Sequence, residues 1–168
     1  MKIYFNLFPL ILILLFFQNS QAVERPNFGL GVVIGNPTAV TALYDIDTLR
    51  SLDTALSYAS NDYFLIYGDY LIHYQNLFTQ KNKFTSQLRP YLGFGAILVA
   101  TNKDRNDNER YYGKKSGAVG FGIRIPIGAE WKSSEMPIGI FLELAPGVSL
   151  APATDGFFQA GLGIRYYF

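Results

Sequence analysis

Apolar residues alternate with polar or small residues along much of the chain. The clearest stretch runs from Phe121 to Trp131, and its two faces differ in character. Neighbouring side chains of a β-strand point to opposite sides of the sheet, so a period of two predicts a strand. One face carries Phe121, Ile123, Ile125, Ile127, Ala129 and Trp131, and the other carries Gly122, Arg124, Pro126, Gly128 and Glu130.

The same pattern, with turn residues between the stretches, predicts eight antiparallel strands. The face opposite the apolar one is rich in glycine and carries isolated charges, which suits the crowded lumen of an eight-stranded barrel. The predicted fold is therefore all-β, an up-and-down transmembrane β-barrel whose apolar face meets lipid and whose closure leaves no edge unpaired. The strands are Asn27–Gly35, Thr38–Ile46, Arg50–Tyr58, Tyr63–Tyr74, Leu88–Ala100, Gly117–Trp131, Pro137–Ser149 and Gly156–Phe168.

The last predicted strand ends in an aromatic residue and has one lipid-compatible face. Aromatic residues also cluster near the ends of other segments, as in the aromatic girdles of transmembrane barrels. The apolar face of the last strand carries Phe158, Ala160, Leu162, Ile164, Tyr166 and Phe168, and the other face carries Gln159, Gly161, Gly163, Arg165 and Tyr167.

Residues 1–22 are predicted to be a cleaved secretory signal peptide. Lys2 provides a positive start, Leu7–Phe17 is apolar apart from one proline, and Asn19–Ala22 supplies small and polar residues for cleavage. The apolar run is shorter than the roughly 20 residues of a spanning helix, which disfavours the alternative of an N-terminal membrane anchor. Residues 23–168 are then expected to form one domain, the barrel.

The composition narrows the functional classes. The chain has 14 basic and 13 acidic residues, a formal net charge of +1 and no basic tract, so we expect no nucleic-acid partner. It has no cysteine, which excludes disulfides, thiolate metal sites and an acylated lipoprotein anchor. The hydrophobic fraction is 49%, yet no apolar stretch after the leader is long enough for a spanning helix.

Together these features resemble the small eight-stranded outer-membrane β-barrels of the OmpA, OmpX and OmpW type. The chain is similar in particular to uncharacterised short barrels with a Gly-rich first strand and an ending like Gly163–Phe168. The resemblance implies a location in the bacterial outer membrane with both termini in the periplasm. It also implies that Tyr166 and Phe168 form the signal read by the barrel-assembly machinery. It implies no specific activity.

Eight charged or titratable residues are predicted to face the lumen. Because an unpaired buried ion is costly, we interpret them as a structural salt-bridge network that fills the lumen. The alternative is a gated polar path, which would make the protein a narrow pore or a transporter of small solutes. The residues are Asp53, Asp69, His73, Arg89, Arg124, Glu130, Glu143 and Arg165.

Two pairings within this set follow from the expected hairpins. If the strands turn at Lys132–Met136, Arg124 is predicted to lie directly opposite Glu143. A similar alignment places Asp53 near Asp69. Two neighbouring carboxylates repel, so one of them either binds a proton or attracts Arg124 from across the lumen. Charge balance by arginine is the favoured interpretation over acid–base catalysis.

His73 is the only histidine and raises the question of an enzyme. Small barrels include enzymes that edit lipid A with a histidine and a serine. No serine lies on the predicted strand of His73, and Ser57 and Ser149 are expected near the opposite rim. A lipid-modifying enzyme is therefore the third alternative, and we expect no catalytic residue, no cofactor and no metal site.

The longest predicted loop, residues 101–116, is the candidate for surface contacts. Tyr111, Tyr112, Lys114 and Lys115 are its candidate contact residues, for anionic headgroups or an extracellular protein partner. The expected partners also include outer-membrane lipids and lipopolysaccharide or another surface glycolipid. The favoured function is structural or surface-interacting and non-enzymatic. A secreted lipocalin-like barrel is the soluble alternative.

Overall fold

The structure is a computed structural model that describes residues 27–59, 63–74, 82–101 and 119–168. Within these ranges the chain forms nine strand segments and one short helix. In chain order they are β1 (Phe28–Asn36), β2 (Ala39–Asp45), β3 (Arg50–Ala59), β4 (Tyr63–His73), α1 (Lys83–Gln87), β5 (Leu88–Thr101), β6 (Val119–Arg124), β7 (Ile127–Lys132), β8 (Ile138–Ala151) and β9 (Asp155–Tyr167).

The strands close into a barrel because the first and last strands pair with each other. β1 lies between β2 and β9, and β4 lies between β3 and β5, with every pairing antiparallel. β6 and β7 both pair with β5 and β8, so they are two parts of one interrupted strand. The predicted eight-stranded, antiparallel, up-and-down barrel is confirmed.

The interruption between β6 and β7 falls at Ile125 and Pro126. Proline has no backbone N–H to donate to a ladder, which limits regular pairing at this point. The Pro126 carbonyl instead accepts a hydrogen bond from the Gly93 N–H at 2.8 Å. The alternation continues across the break, since Arg124 and Pro126 are both buried while Ile125 is exposed.

Helix α1 was not predicted from the sequence, which assigned no element between the fourth and fifth strands. Asn82 and Thr85 form a capping box, with the Thr85 N–H donating to Asn82 Oδ1 at 2.8 Å. The helix is held against the hairpin that joins β7 and β8. Phe84 stacks on Trp131 with ring centroids 6.5 Å apart, and Gln87 Nε2 donates to Ser134 Oγ at 2.6 Å.

The alignment predicted for the β7–β8 hairpin is wrong. Arg124 lies opposite Gly147 rather than Glu143, and Gly128 lies opposite Glu143. The turn after β7 is centred later along the chain than expected, since Lys132 pairs with Gly139 and the Ser133 N–H donates to the Ile138 carbonyl at 3.0 Å. In this turn, Ser133 Oγ accepts hydrogen bonds from the N–H groups of residues 135 and 136. The alignment of Asp53 with Asp69 across β3 and β4 is as predicted.

The barrel has an apolar outside and a buried, partly charged inside. Outward side chains such as Ile34, Phe94 and Leu162 are 57% or more exposed. Tyr166 and Phe168 also point outward, as the alternation predicts. Among the described residues, no helix is long and apolar enough to cross a bilayer.

Large inward side chains lie over glycines of the neighbouring strand. Phe141 is aligned with Gly163, where an added Cβ would lie 2.2 Å from the phenyl ring. Asp69 is aligned with Gly95, where an added Cβ would lie 1.8 Å from Asp69 Oδ1. Glycine on the inward face therefore makes room for bulky neighbours in a narrow lumen.

The barrel has two ends, the terminal end and the distal end. The terminal end holds Phe28 and Phe168, which are joined by a hydrogen bond of 2.8 Å from the Phe168 N–H to the Phe28 carbonyl. The distal end is the opposite one. At the terminal end, the β2–β3 turn is closed by Asp47, whose carboxylate accepts from the Leu49 N–H at 2.8 Å and from Arg50 Nε at 2.7 Å.

Candidate functional site

The eight residues predicted for the lumen all lie on inward-facing positions. Seven of them are buried, and Arg89 is partly buried near the terminal end. The structure divides the enclosed charges into two groups. The central cluster consists of Asp53, Asp69, Arg124 and Glu143, the terminal cluster consists of Asp45, Arg89, Glu130 and Lys132, and Arg165 contacts both.

Arg124 organises the central cluster from β6. Its Nη2 donates to Glu143 Oε1 on β8, and its Nη1 donates to Gln159 Oε1 on β9 at 2.7 Å. Its Nε lies 3.3 Å from Asp69 Oδ1 on β4, without the geometry of a hydrogen bond. The guanidinium carbon lies 3.8 Å from the centre of the Tyr67 ring. The predicted contact between Arg124 and Glu143 therefore forms, although the two residues are not aligned in the ladder.

Both oxygens of Asp53 and both oxygens of Glu143 accept a hydrogen bond. Asp53 accepts from Arg165 Nη2 at 2.8 Å and from Thr41 Oγ1 at 3.1 Å. Glu143 accepts from Tyr91 Oη at 2.9 Å in addition to Arg124. Asp69 differs, because neither of its carboxylate oxygens receives a hydrogen bond from any residue that the structure describes.

The terminal cluster is a compact set of charge-assisted hydrogen bonds. Arg89 binds both oxygens of Asp45, with its two terminal nitrogens at 2.9 and 3.1 Å. Lys132 Nζ lies 3.0 Å from the same carboxylate. Glu130 accepts from Tyr167 Oη, and Arg89 Nη1 lies 3.6 Å from its second oxygen. A two-pronged arginine–carboxylate contact is among the stronger ones in proteins.

Arg165 on β9 connects the two clusters. Its Nη2 donates to Asp53 Oδ2 at 2.8 Å, and its Nη1 lies 3.4 Å from Glu130 Oε1. The guanidinium carbon lies 3.7 Å from the centre of the Phe141 ring, and the residue is 1% exposed. One arginine side chain thus links strands on opposite sides of the lumen.

His73 has a serine partner that the sequence reasoning missed. Ser51 on β3 lies beside it, with Oγ 2.5 Å from His73 Nε2. Ser51 Oγ also donates to Asp45 Oδ1 at 2.9 Å, so the serine proton is directed to the carboxylate and not to the histidine. Ser51 is 0% exposed and His73 is 2% exposed. A nucleophile must reach its substrate, so this arrangement does not form an accessible acyl-transfer site.

An apolar layer lies mainly on the distal side of the charged clusters. It includes Ala55, Leu65, Tyr67 and Ile97, which are all buried inside the barrel. Ala55 and Tyr67 each lie two residues from an aspartate of the central cluster, toward the distal end. The lumen therefore contains a charged region and an apolar region in series.

Several site residues were absent from the sequence prediction. Asp45 and Lys132 supply half of the terminal cluster, and Thr41 and Gln159 supply hydrogen bonds to the central one. The period of two already places Asp45 and Thr41 on the inward face of β2. Strand alternation could have identified them, whereas their partners depend on the barrel register.

Three of the carboxylates could in principle bind a cation. Asp53, Asp69 and Glu143 each offer an oxygen, and these atoms lie within 4.8 Å of one another. Carboxylate oxygens are the ligands that hard cations prefer. Two guanidinium groups, those of Arg124 and Arg165, already contact these three carboxylates.

Some predictions fall outside the described residues. They are the signal peptide 1–22 and most of the loop 101–116, including Tyr111, Tyr112, Lys114 and Lys115. These remain predictions.

A closed eight-stranded barrel with an apolar exterior and a buried charged interior defines a small β-barrel protein of the outer-membrane type. Among solved structures, the chain is similar to the N-terminal β-barrel domain of Pseudomonas aeruginosa OprF, with 15% identity, a TM-score of 0.58, and coverage of 84% of this chain and 95% of that one. It is also similar to Neisserial surface protein A (NspA), with 13% identity, a TM-score of 0.48, and coverage of 84% and 93%.

A protein-family model described as "Protein of unknown function (DUF3996)" matches residues 19–168. The chain belongs to this family. A search of curated proteins finds no match.

Proposed function

We propose that this protein is an integral outer-membrane barrel with a structural or surface-interaction role and a lumen closed to ions. The single observation that supports this most is the pair of arginines that cross the lumen. Arg124 links β6 to β4, β8 and β9, and Arg165 links β9 to β3 and β7. An ion passing through would have to break these buried contacts and then cross the apolar layer, both at a high cost in free energy.

The exterior supports residence in lipid. Apolar side chains are exposed around the whole barrel, and aromatic residues such as Tyr44, Tyr74 and Phe168 lie near the terminal end. A soluble barrel would bury this surface or replace it with polar residues. The proposed location is the bacterial outer membrane with both termini in the periplasm, and outer-membrane lipids are the proposed partners of the exterior.

Conductance measurements test the closed lumen. The protein, purified in detergent, is inserted into planar lipid bilayers and recorded beside the Arg124→Ala variant. We expect no discrete currents from the wild type. Discrete currents from the wild type that disappear in Arg124→Ala would contradict the proposal and favour the narrow pore. Failure of the protein to enter detergent micelles would contradict membrane residence itself.

The surface role has a separate test. An epitope inserted in the loop 101–116 should react with antibody on intact cells, while an epitope in the β2–β3 turn at residues 46–49 should react only after the cells are permeabilised. The reverse result would contradict the proposed orientation.

The same strains should show unchanged lipid A, because the buried Ser51–His73 pair cannot reach lipid.

A further inference from the structure

Among the described residues, the charged side chains enclosed by the barrel include one more acid than base. All of them are buried or partly buried, and ion pairs join them into two sets. Arg124 pairs with Asp69 and Glu143, and the other six residues form the second set. The acids are Asp45, Asp53, Asp69, Glu130 and Glu143, and the bases are Arg89, Arg124, Lys132 and Arg165.

His73 does not supply the missing positive charge. A charged imidazole has two N–H donors and needs an acceptor for each of them. His73 Nε2 contacts Ser51 Oγ, but Nδ1 has no hydrogen-bond partner and is buried. The neutral form, with its proton on Nε2, satisfies the observed contacts.

The excess negative charge lies in the central cluster, at Asp69. Every other enclosed carboxylate accepts at least one hydrogen bond from an arginine, lysine or tyrosine. Asp69 is 3% exposed and accepts none. Its nearest cation is Arg124, whose two terminal nitrogens are directed to Glu143 and Gln159 instead.

The strand register places Asp69 beside an acidic neighbour. It lies directly opposite Asp53 across β3 and β4 and directly opposite Gly95 across β4 and β5. The carboxylate sits over Gly95, where even a methyl group would collide with it. The titratable and charged groups around it are Asp53 on β3, Tyr67 on its own strand, Arg124 on β6, Glu143 on β8 and Arg165 on β9.

We propose that the central cluster is a buried proton-binding site and that Asp69 carries the proton at neutral pH. One proton makes the enclosed charges equal in number and removes an ion that has no donor. It also turns Asp69 into a hydrogen-bond donor beside the carboxylates of Asp53 and Glu143, whose oxygens lie within 4.8 Å. A metal ion fits less well, because it needs several free oxygen ligands and those of Asp53 and Glu143 already accept hydrogen bonds.

Infrared spectroscopy tests this proposal directly. The protein in detergent at neutral pH should show the carbonyl stretch of a protonated carboxylic acid, which ionised carboxylates lack. We expect one such group per chain, a shift of the band in D₂O, and a further shift when the protein contains carbon-13-labelled aspartate. The band should be absent from Asp69→Asn and present in the matched variant Asp45→Asn.

Three results would overturn the proposal. The first is a wild-type spectrum without the acid band. This result counts against the proton even if added sodium or calcium ions change the thermal stability of the protein. The second is a band that aspartate labelling does not move, which would place the proton on a glutamate. The third is a band that Asp69→Asn keeps. If Asp69→Asn does not fold, the wild-type band and its response to labelled aspartate still decide the question.

Discussion

The central and terminal clusters both pair carboxylates with arginine, but they differ in how their negative charges are compensated. In the terminal cluster, Asp45 binds Arg89 through both of its oxygens and also contacts Lys132 and Ser51. In the central cluster, Asp69 receives no hydrogen bond from the described part of the chain. The difference indicates that a closed lumen can balance a buried carboxylate in two ways. A cation does so where a basic side chain donates to the carboxylate, and a proton does so where none donates.

The largest predicted effect comes from Arg165, because it belongs to both clusters. Arg165→Met should lower the free energy of unfolding by about 5 kcal/mol, since it leaves Asp53 and Glu130 with an uncompensated buried charge. Urea titration in lipid vesicles, followed by heat-modifiable gel mobility, measures this loss. The control is Arg50→Met, which removes an exposed ion pair and should cost less than about 1 kcal/mol. Equal losses in the two variants would contradict the account.

The second prediction separates the clusters. Arg124→Met should cost about 3 kcal/mol, because Glu143 loses the one cation that pairs with it among the described residues. Arg89→Met should cost about 1 kcal/mol, because Asp45 keeps its contacts with Lys132 and Ser51. The same unfolding measurement compares them. Adding Glu143→Gln to Arg124→Met should recover part of the loss, and a larger loss for Arg89→Met would show that the clusters have been ranked wrongly.

The third prediction concerns the space around Asp69. Gly95→Ala places a methyl group against Asp69 Oδ1 and the Gly68 carbonyl, so it should cost about 1–3 kcal/mol as an overpacked site. The matched variant Gly68→Ala has no atom within 4 Å of the new Cβ. It should leave the unfolding free energy within about 0.5 kcal/mol of the wild type. Thermal gel-shift midpoints of the two variants would distinguish them, and indistinguishable midpoints would argue against the tight packing.

The smallest effect lies outside both clusters, in the β2–β3 turn. The hydrogen bond from the Arg50 side chain, with the one from the Leu49 N–H, holds the pKa of Asp47 below its ordinary value. A lowered pKa in the folded state means that this contribution is present at neutral pH and is lost as the pH falls through that value, below about pH 4. Asp47→Asn should therefore be slightly less stable than the wild type at pH 7, and the difference should vanish in acid. A difference independent of pH would contradict this.

The sequence predicted the fold well because strand alternation is a local signal. The period of two alone predicts which residues of β4, β6 and β9 face inward. Inward glycines lie where a ring or carboxylate of the neighbouring strand needs space. Helix α1 was missed because five residues are too few to show a helical period. The β7–β8 alignment was missed because the position of the turn along the chain depends on Ser133 hydrogen bonds that no alternation pattern contains.

The candidate site was only partly predictable from the sequence. Alternation places Asp69 and Arg124 inside, but it does not show which of the enclosed carboxylates lacks a donor. That fact depends on the directions of the Arg124 nitrogens and on the register of several strands. The Ser51–His73 contact was missed for a similar reason, because the two residues meet across a strand pair rather than along one strand.

The most direct test of the two forms of charge compensation is the free energy of unfolding of Asp69→Asn measured beside that of Asp45→Asn. An asparagine resembles a protonated aspartate, so Asp69→Asn should lie within about 0.5 kcal/mol of the wild type at neutral pH. Asp45→Asn removes a carboxylate bound by two cations and should cost about 1–3 kcal/mol. If Asp69→Asn proves as destabilising as Asp45→Asn, Asp69 is an ionised partner of Arg124 and the distinction between the clusters is wrong.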